Sequence, residues 1–171
     1  DTMLITATGT SLGALTSRDI VRVSISRGPG AAGLRPSSEF PLHTMIYRNF
    51  DCRRVVHCHP PLTNAYFAVY PDLADLIFET RHTIGEVQVV KQYTVTVTKP
   101  LPVIAALRKN ELVVLKNHGV VAIDDDFTGA FYRVEALESA VEVAAVARLF
   151  KKDILDDLDI CLTQRLKKRI R

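Results

Sequence analysis

Two histidines flank one cysteine in RRVVHCHPP, residues 53–61. Side chains alternate between the faces of a β-strand, so His57 and His59 project one way and Cys58 the other. Imidazoles two residues apart on a strand lie about 7 Å apart at Cα and can converge on one metal ion. By itself, H-x-H does not choose between a metal site and two polar residues on a strand. Cys58, on the opposite face, reads as a small core residue.

A third imidazole, His118, stands in LKNHGVV at a tight break between two apolar β-rich runs. Such a break holds a side chain rigidly with one side open, which suits a ligand, although Asn-His-Gly is also ordinary turn chemistry. Gly119 serves the break through its backbone freedom or by allowing another segment to approach closely. Glu39, in PSSEF, falls in the first turn of an expected helix, where a carboxylate meets the positive helix end. It reads as a metal ligand or as a capping glutamate. His43, one turn further along, is another candidate, whereas His82 in ETRHTIG has no assignable partner.

Strands and helices alternate around these residues. MLITAT (3–8) and VRVSIS (21–26) read as strands, and SRGPGAAG (26–33) as a glycine-rich turn region. Residues 36–50 form an expected helix with Ser37 or Ser38 as N-cap and Pro41 tolerable only in the first turn. RRVVHCH (53–59) is a strand stopped by Pro60-Pro61, and residues 62–70 and 101–110 are helices entered at prolines. VQVVKQYTVTVT (87–98) is extended, residues 111–125 are two β-rich runs, and residues 127–150 are a long amphipathic helix. One α/β domain fits a chain of 171 residues with no internal repeat or linker.

Composition narrows the class. No apolar run approaches the roughly 20 residues of a membrane span, and DTMLITATG lacks the layout of a signal peptide. Three widely spaced cysteines form no disulfide framework, which points to a reducing cytoplasm. The net charge of +3 sits in residues 151–171, with seven Lys/Arg against four Asp. Ile154, Leu155, Leu158, Leu162, Leu166 and Ile170 fall at helical spacing there, so this tail reads as a docking helix with a solvated basic end in preference to a nucleic-acid or membrane patch.

Five segments together resemble the class II (zinc-dependent) aldolase and adducin family, in pattern most like its L-fuculose-1-phosphate aldolases. They are MLITATG, LTSRDIV, PSSEFPLHTMIY, VVHCHPP and LKNHGVVAI, in the family's order and near its spacing over residues 1–150. The resemblance implies a class II aldolase-like domain over 1–150, with 151–171 as a basic amphipathic helix of the same domain. Its fold would be α/β/α layers around a central mixed, mainly antiparallel sheet. The implied zinc ligands are His57, His59 and His118, with Glu39 as fourth ligand and catalytic base. Thr8, Gly9, Ser37 and Ser38 are implied to hold the substrate phosphate.

The implied reaction is retro-aldol cleavage of a ketose 1-phosphate to dihydroxyacetone phosphate and an aldehyde, Glu39 moving the proton once substrate displaces it from the metal. Three neutral imidazoles and one carboxylate would leave Zn²⁺ singly positive with room for substrate, although Mn²⁺ and Co²⁺ also suit mixed N/O ligands. A phosphate suits hydroxyls and N–H groups at a helix start. The resemblance also implies a cytoplasmic homotetramer with sites at subunit interfaces, a small sugar phosphate as partner, and no nucleic acid or membrane.

Methylthioribulose-1-phosphate dehydratases and sugar-acid phosphate decarboxylases of the family keep the histidines and stay open as alternatives. The ribulose-5-phosphate 4-epimerases carry aspartate where this chain has Glu39, and a non-catalytic adducin-like scaffold would be expected to lose the triad. Family members also have a helix and a G-N-x-S strand before these segments. Asp1 falls after them, so either that segment lies outside this sequence or the phosphate pocket is depleted. The aldolases use a tyrosine near the C-terminus and one from a neighbouring subunit as proton donors. Here the last tyrosine is Tyr132, and Phe78 falls where the second is due. Tyr66, Tyr70 and Tyr93 read as buried aromatics or, alternatively, as substitutes.

Overall fold

A computed structural model describes residues 1–31, 33–73 and 78–169, with side chains except at residue 79 and residues 151–169. Strands β1 (Thr2–Thr6) and β2 (Ile20–Ser24) pair antiparallel as a small separate sheet. Met3, Ile5 and Val23 are its buried residues, packed against Phe40 and Tyr47 of helix α1 (Phe40–Asn49).

The main sheet contains β3 (Arg54–Cys58), β4 (Gln88–Lys91), β5 (Leu112–Lys116) and β6 (Gly119–Asp124) in the order β3-β6-β5-β4. The pairs β3·β6 and β5·β6 are antiparallel and β4·β5 is parallel, which makes the sheet mixed and mainly antiparallel, as expected. The central strands are buried on both faces, and their sequences are correspondingly apolar throughout.

Period-two alternation sorts those residues into two cores. Leu112, Val114, Val120 and Ala122 face Tyr66 and Phe67 of α2 (Pro61–Val69) and Ala130, Val134, Leu137 and Val141 of α5 (Phe127–Arg169). Val113, Leu115, Val121 and Ile123 face Leu42 and Ile46 of α1 and Val103, Ile104 and Leu107 of α4 (Leu101–Leu107). The result is the α/β/α layering. Each fully buried aliphatic side chain contributes roughly 1.5–3 kcal/mol of transfer free energy, so these layers hold the strand ends in fixed register.

Two expectations are corrected. Residues 87–98 are strand only over Gln88–Lys91. Among the described residues β4 is a sheet edge with no outer partner, and the chain leaves it after Gln92 N–H donates to Lys116 O at 3.2 Å. The N-cap of α1 is Glu39, not Ser37 or Ser38, and Pro41 sits in the first turn, where its missing N–H costs nothing. Helix α3 (Phe78–Ile84), with Ile84 alone buried among its described side chains, carries too little apolar periodicity to be legible in advance. Helix α5 runs unbroken past residue 150; the apolar stripe expected over 151–171 lies on side chains outside the described residues.

Candidate metal centre

Strand pairing delivers the histidines. His57 sits opposite Val121 in the β3·β6 register, on the face of the sheet that packs α1 and α4. Cys58 points to the other core, where burial pushes its thiol up to about 11. His59 follows the last strand residue and is exposed. His118 occupies the turn joining β5 to β6, its N–H donating to Leu115 O at 2.9 Å.

That turn divides its demands between two residues. Asn117 adopts the left-handed conformation (φ 66°), which asparagine tolerates better than most side chains. At Gly119 a Cβ would stand 2.3 Å from Cys58 O and 2.5 Å from the His59 ring, so glycine is required there by close approach. This packing of the turn against the end of β3 brings His118 to the H-x-H pair.

The three imidazoles converge. Their ligand-type nitrogens all lie within 4.8 Å of one another, and His57 Nε2 is 3.1 Å from His118 Nε2. His57 Nδ1 lies 2.8 Å from Val120 O, so Nδ1–H donates to the carbonyl and the Nε2 lone pair faces the cluster. Glu39 lies beside the triad: its Oε1 is 3.7 Å from His118 Nε2. Its carboxylate is buried and accepts from Val97 N–H at 3.3 and 3.2 Å.

This donor set fits a divalent ion. Metal–nitrogen bonds of about 2.0–2.1 Å in a tetrahedral site place ligand atoms about 3.3 Å apart, and the separations here bracket that value. Burial drives the His57 pKa down to about 3 and lowers that of His118, with the neighbouring imidazoles adding to both effects. Both rings are therefore neutral, the form that binds metal. Burial raises the Glu39 pKa, so this carboxylate gains from a cation beside it.

The other sequence candidates separate cleanly. His43 packs edge-on against His57 at 6.5 Å between ring centres, and burial alone takes its pKa down to about 4, so it is a wall of the site. His82 is exposed on α3 and lines a separate cleft of about 510 Å³ with Lys109 and Arg133. Thr8 and Ser37 are brought into adjacent segments: Ala7 bridges Pro36, Thr8 N–H donates to Arg35 O and Ser37 N–H to Thr6 O. Gly9 follows with φ 80°, and Ser38 is exposed in the turn before α1. Ser37 Oγ accepts the Glu39 N–H at 3.2 Å, joining this corner to the carboxylate.

The sequence profile described as Class II Aldolase and Adducin N-terminal domain matches residues 1–145. This chain belongs to the class II aldolase and adducin family. It is 31% identical over 153 residues to an L-fuculose phosphate aldolase of Methanocaldococcus jannaschii, covering 89% of this chain and 83% of that protein. It is 32% identical over 151 residues to a 3-oxo-tetronate 4-phosphate decarboxylase of Pectobacterium atrosepticum, covering 83% of this chain and 68% of the relative. The crystal structure of L-fuculose-1-phosphate aldolase from Thermus thermophilus superposes with a TM-score of 0.77 at 29% identity, over 87% of this chain and 79% of that one.

In this class II aldolase-family chain, several positioning groups had no legible signal. Val97 N–H and Val120 C=O are backbone groups, and no residue type announces them. Glu138 of α5 caps the start of α2: it accepts from Leu62 N–H, Thr63 N–H and Thr63 Oγ at 3.0, 2.9 and 2.6 Å. That cap fixes the chain just after His59-Pro60. Asn64 of the same helix donates to His118 O at 3.3 Å.

The tyrosines divide by environment. Tyr66 is buried and accepts from Arg148 at 3.2 Å, and Tyr70 stacks on the same guanidinium. Tyr93, expected to be buried, is 86% exposed, because the chain has left the sheet edge by that point. Phe78 is 97% exposed.

Proposed function

We propose that this chain is a zinc-dependent sugar-phosphate aldolase cleaving a ketose 1-phosphate of the fuculose-1-phosphate type to dihydroxyacetone phosphate and an aldehyde. The observation that carries this reading is the convergence of His57, His59 and His118, with the Glu39 carboxylate 3.7 Å from His118 and two residues along the chain from Ser37. A divalent ion bound there would supply Lewis acidity toward the substrate's carbonyl and hydroxyl oxygens. His57, His59 and His118 would hold it, and Glu39 would be its fourth ligand in the resting state.

The chain's own groups do the rest. Val97 N–H steadies Glu39 close to His118, and burial raises the carboxylate's proton affinity toward that of a useful acid/base. Thr8, Gly9, Ser37 and Ser38 bind the phosphate and so orient the reacting carbons, with Glu39 in position to remove and return the hydroxyl proton. We read residues 1–150 as the domain and 151–171 as its continuation. The protein is read as a cytoplasmic homotetramer with sites at subunit contacts; free Cys52 and Cys58 and the exposed side chains of Phe78, Phe127 and Phe131 support those readings.

The comparable identity to a decarboxylase supports a second reading, in which the same centre stabilises the carbanion left by CO₂ loss. One experiment separates them: the zinc-loaded protein is presented with phosphorylated ketoses, sugar acids and methylthioribulose 1-phosphate. Dihydroxyacetone phosphate is the expected product. CO₂ release or loss of water as the dominant reaction would replace the aldolase reading.

A further inference from the structure

The hydroxyls and N–H groups of Thr8, Gly9, Ser37 and Ser38 offer hydrogen bonds but no full positive charge, whereas a phosphate monoester carries nearly two negative charges at neutral pH. We propose that Arg35 supplies that charge, its guanidinium gripping the phosphate of the substrate as a specificity-determining residue. The inference rests on the sugar-phosphate reading above.

The ladder between residues 6–8 and 35–37 carries the argument. Thr8 N–H donates to Arg35 O at 2.9 Å and Ser37 N–H to Thr6 O at 2.8 Å, flanking the antiparallel bridge Ala7–Pro36. In an antiparallel pair this pattern sets Thr8 directly across from Arg35 and Thr6 across from Ser37. Because successive side chains alternate, Thr6, Thr8, Arg35 and Ser37 share one face and Ala7 and Pro36 the other. Ala7 is buried and Pro36 half-buried, while Thr8 and Arg35 are exposed, so the shared face is the open one.

Directly opposed residues have Cβ atoms about 4.5–5.5 Å apart, within easy reach for an arginine fork and a threonine hydroxyl to meet one phosphate. Pro36 restricts Arg35 to extended backbone, which keeps its side chain on that face. Arg35 is held through its backbone carbonyl, whereas among the described residues its guanidinium has no hydrogen bond, ion pair or ring contact, so its five donors are free for a ligand. A solvated surface arginine looks the same in isolation; the facing hydroxyls and the short path to Glu39 separate the two. From Ser37 to Glu39 the chain spans at most about 7 Å, which suits a substrate whose phosphate sits one carbon from the reacting carbonyl. Guanidinium grips phosphate bidentately, which hydroxyls cannot do.

The test titrates inorganic phosphate into the metal-free protein by calorimetry, and measures the KM of the metal-loaded enzyme for a ketose 1-phosphate. Arg35→Met is expected to weaken phosphate binding about ten- to hundred-fold, to raise KM more than it lowers kcat, and to leave Tm without phosphate unchanged. Arg35→Lys restores part of the affinity. Lys109→Met, on the turn into the opposite end of β5, leaves affinity at the wild-type value. Wild-type affinity in Arg35→Met, with Ser37→Ala weakened, overturns the role of Arg35 and spares the phosphate site. No phosphate binding by the wild type, or wild-type affinity in all of Arg35→Met, Ser37→Ala and Thr8→Ala, overturns both.

Discussion

His57 and His118 stand with their rings nearly parallel, 10° between planes, and their Nε2 atoms 3.1 Å apart. The far nitrogen of His57 is committed to Val120 O, so two ring nitrogens face each other across a gap that a proton or a cation must bridge. Removing either ring removes half of that gap. His57→Asn and His118→Asn are expected to lower metal affinity by more than about 100-fold, beyond what loss of an outer partner costs. Elemental analysis after dialysis against zinc reads the result; a stoichiometric ion retained in both variants would remove the triad from the site.

Glu39→Gln keeps the shape of the carboxylate and can still accept from Val97 N–H. The histidines remain, so metal content should stay near one ion per chain while turnover falls about 10²–10⁴-fold, the usual worth of a positioned acid/base. Metal content and kcat are measured on the same preparation. Unimpaired turnover would exclude Glu39 as the base.

Burial holds His57 near 3 and His43 near 4, against the ordinary value of 6.5. Both stay neutral when folded, whereas the unfolded chain takes up protons below 6.5. Stability is thus complete above pH 6.5 and is lost as pH falls toward the folded values. The loss approaches 1.4 kcal/mol per buried histidine for each pH unit below 6.5, as an order of magnitude (~). Urea midpoints of the metal-free protein on either side of pH 6.5 measure it. His43→Leu should remove about half of the slope, and a flat wild-type profile would contradict the burial of both rings.

Gly119→Ala places a methyl 2.3 Å from Cys58 O and 2.5 Å from the His59 ring. Backbone cannot yield as a flexible side chain can, so the turn must move away from β3. Overpacking of this kind typically costs about 1–3 kcal/mol. The displacement acts on His59 and His118 together, so thermal stability and zinc affinity should fall in parallel. An alanine variant with wild-type Tm and zinc content would contradict the requirement for glycine at this approach.

Much of the fold could be read from residue order. VVHCH, LVVLK and GVVAI are apolar enough to be strands buried on one or both faces, and PPLTNAYF begins a helix because prolines fit only its first turn. The four metal-site candidates were legible from residue type and from their resemblance to the family. The extent of β4 was not: TVTVT has strand composition, but pairing depends on a neighbour, and among the described residues β4 has none on its outer side. Helix α3 shows no apolar stripe among its described side chains; Ile84 is its residue in the core.

Local sequence determined which side chains could bind a metal, because donor chemistry belongs to the residue and the two-residue repeat of a strand points His57 and His59 the same way. Tertiary structure decided the rest. It chose which histidines meet, packing His43 as a wall and leaving His82 on another surface. It assigned Gly119 to close approach and Asn117 to the left-handed turn. It also supplied Val120 C=O and Val97 N–H, which fasten His57 and Glu39. Those groups are identical at every residue, so only the path of the folded chain distinguishes the ones that orient the site.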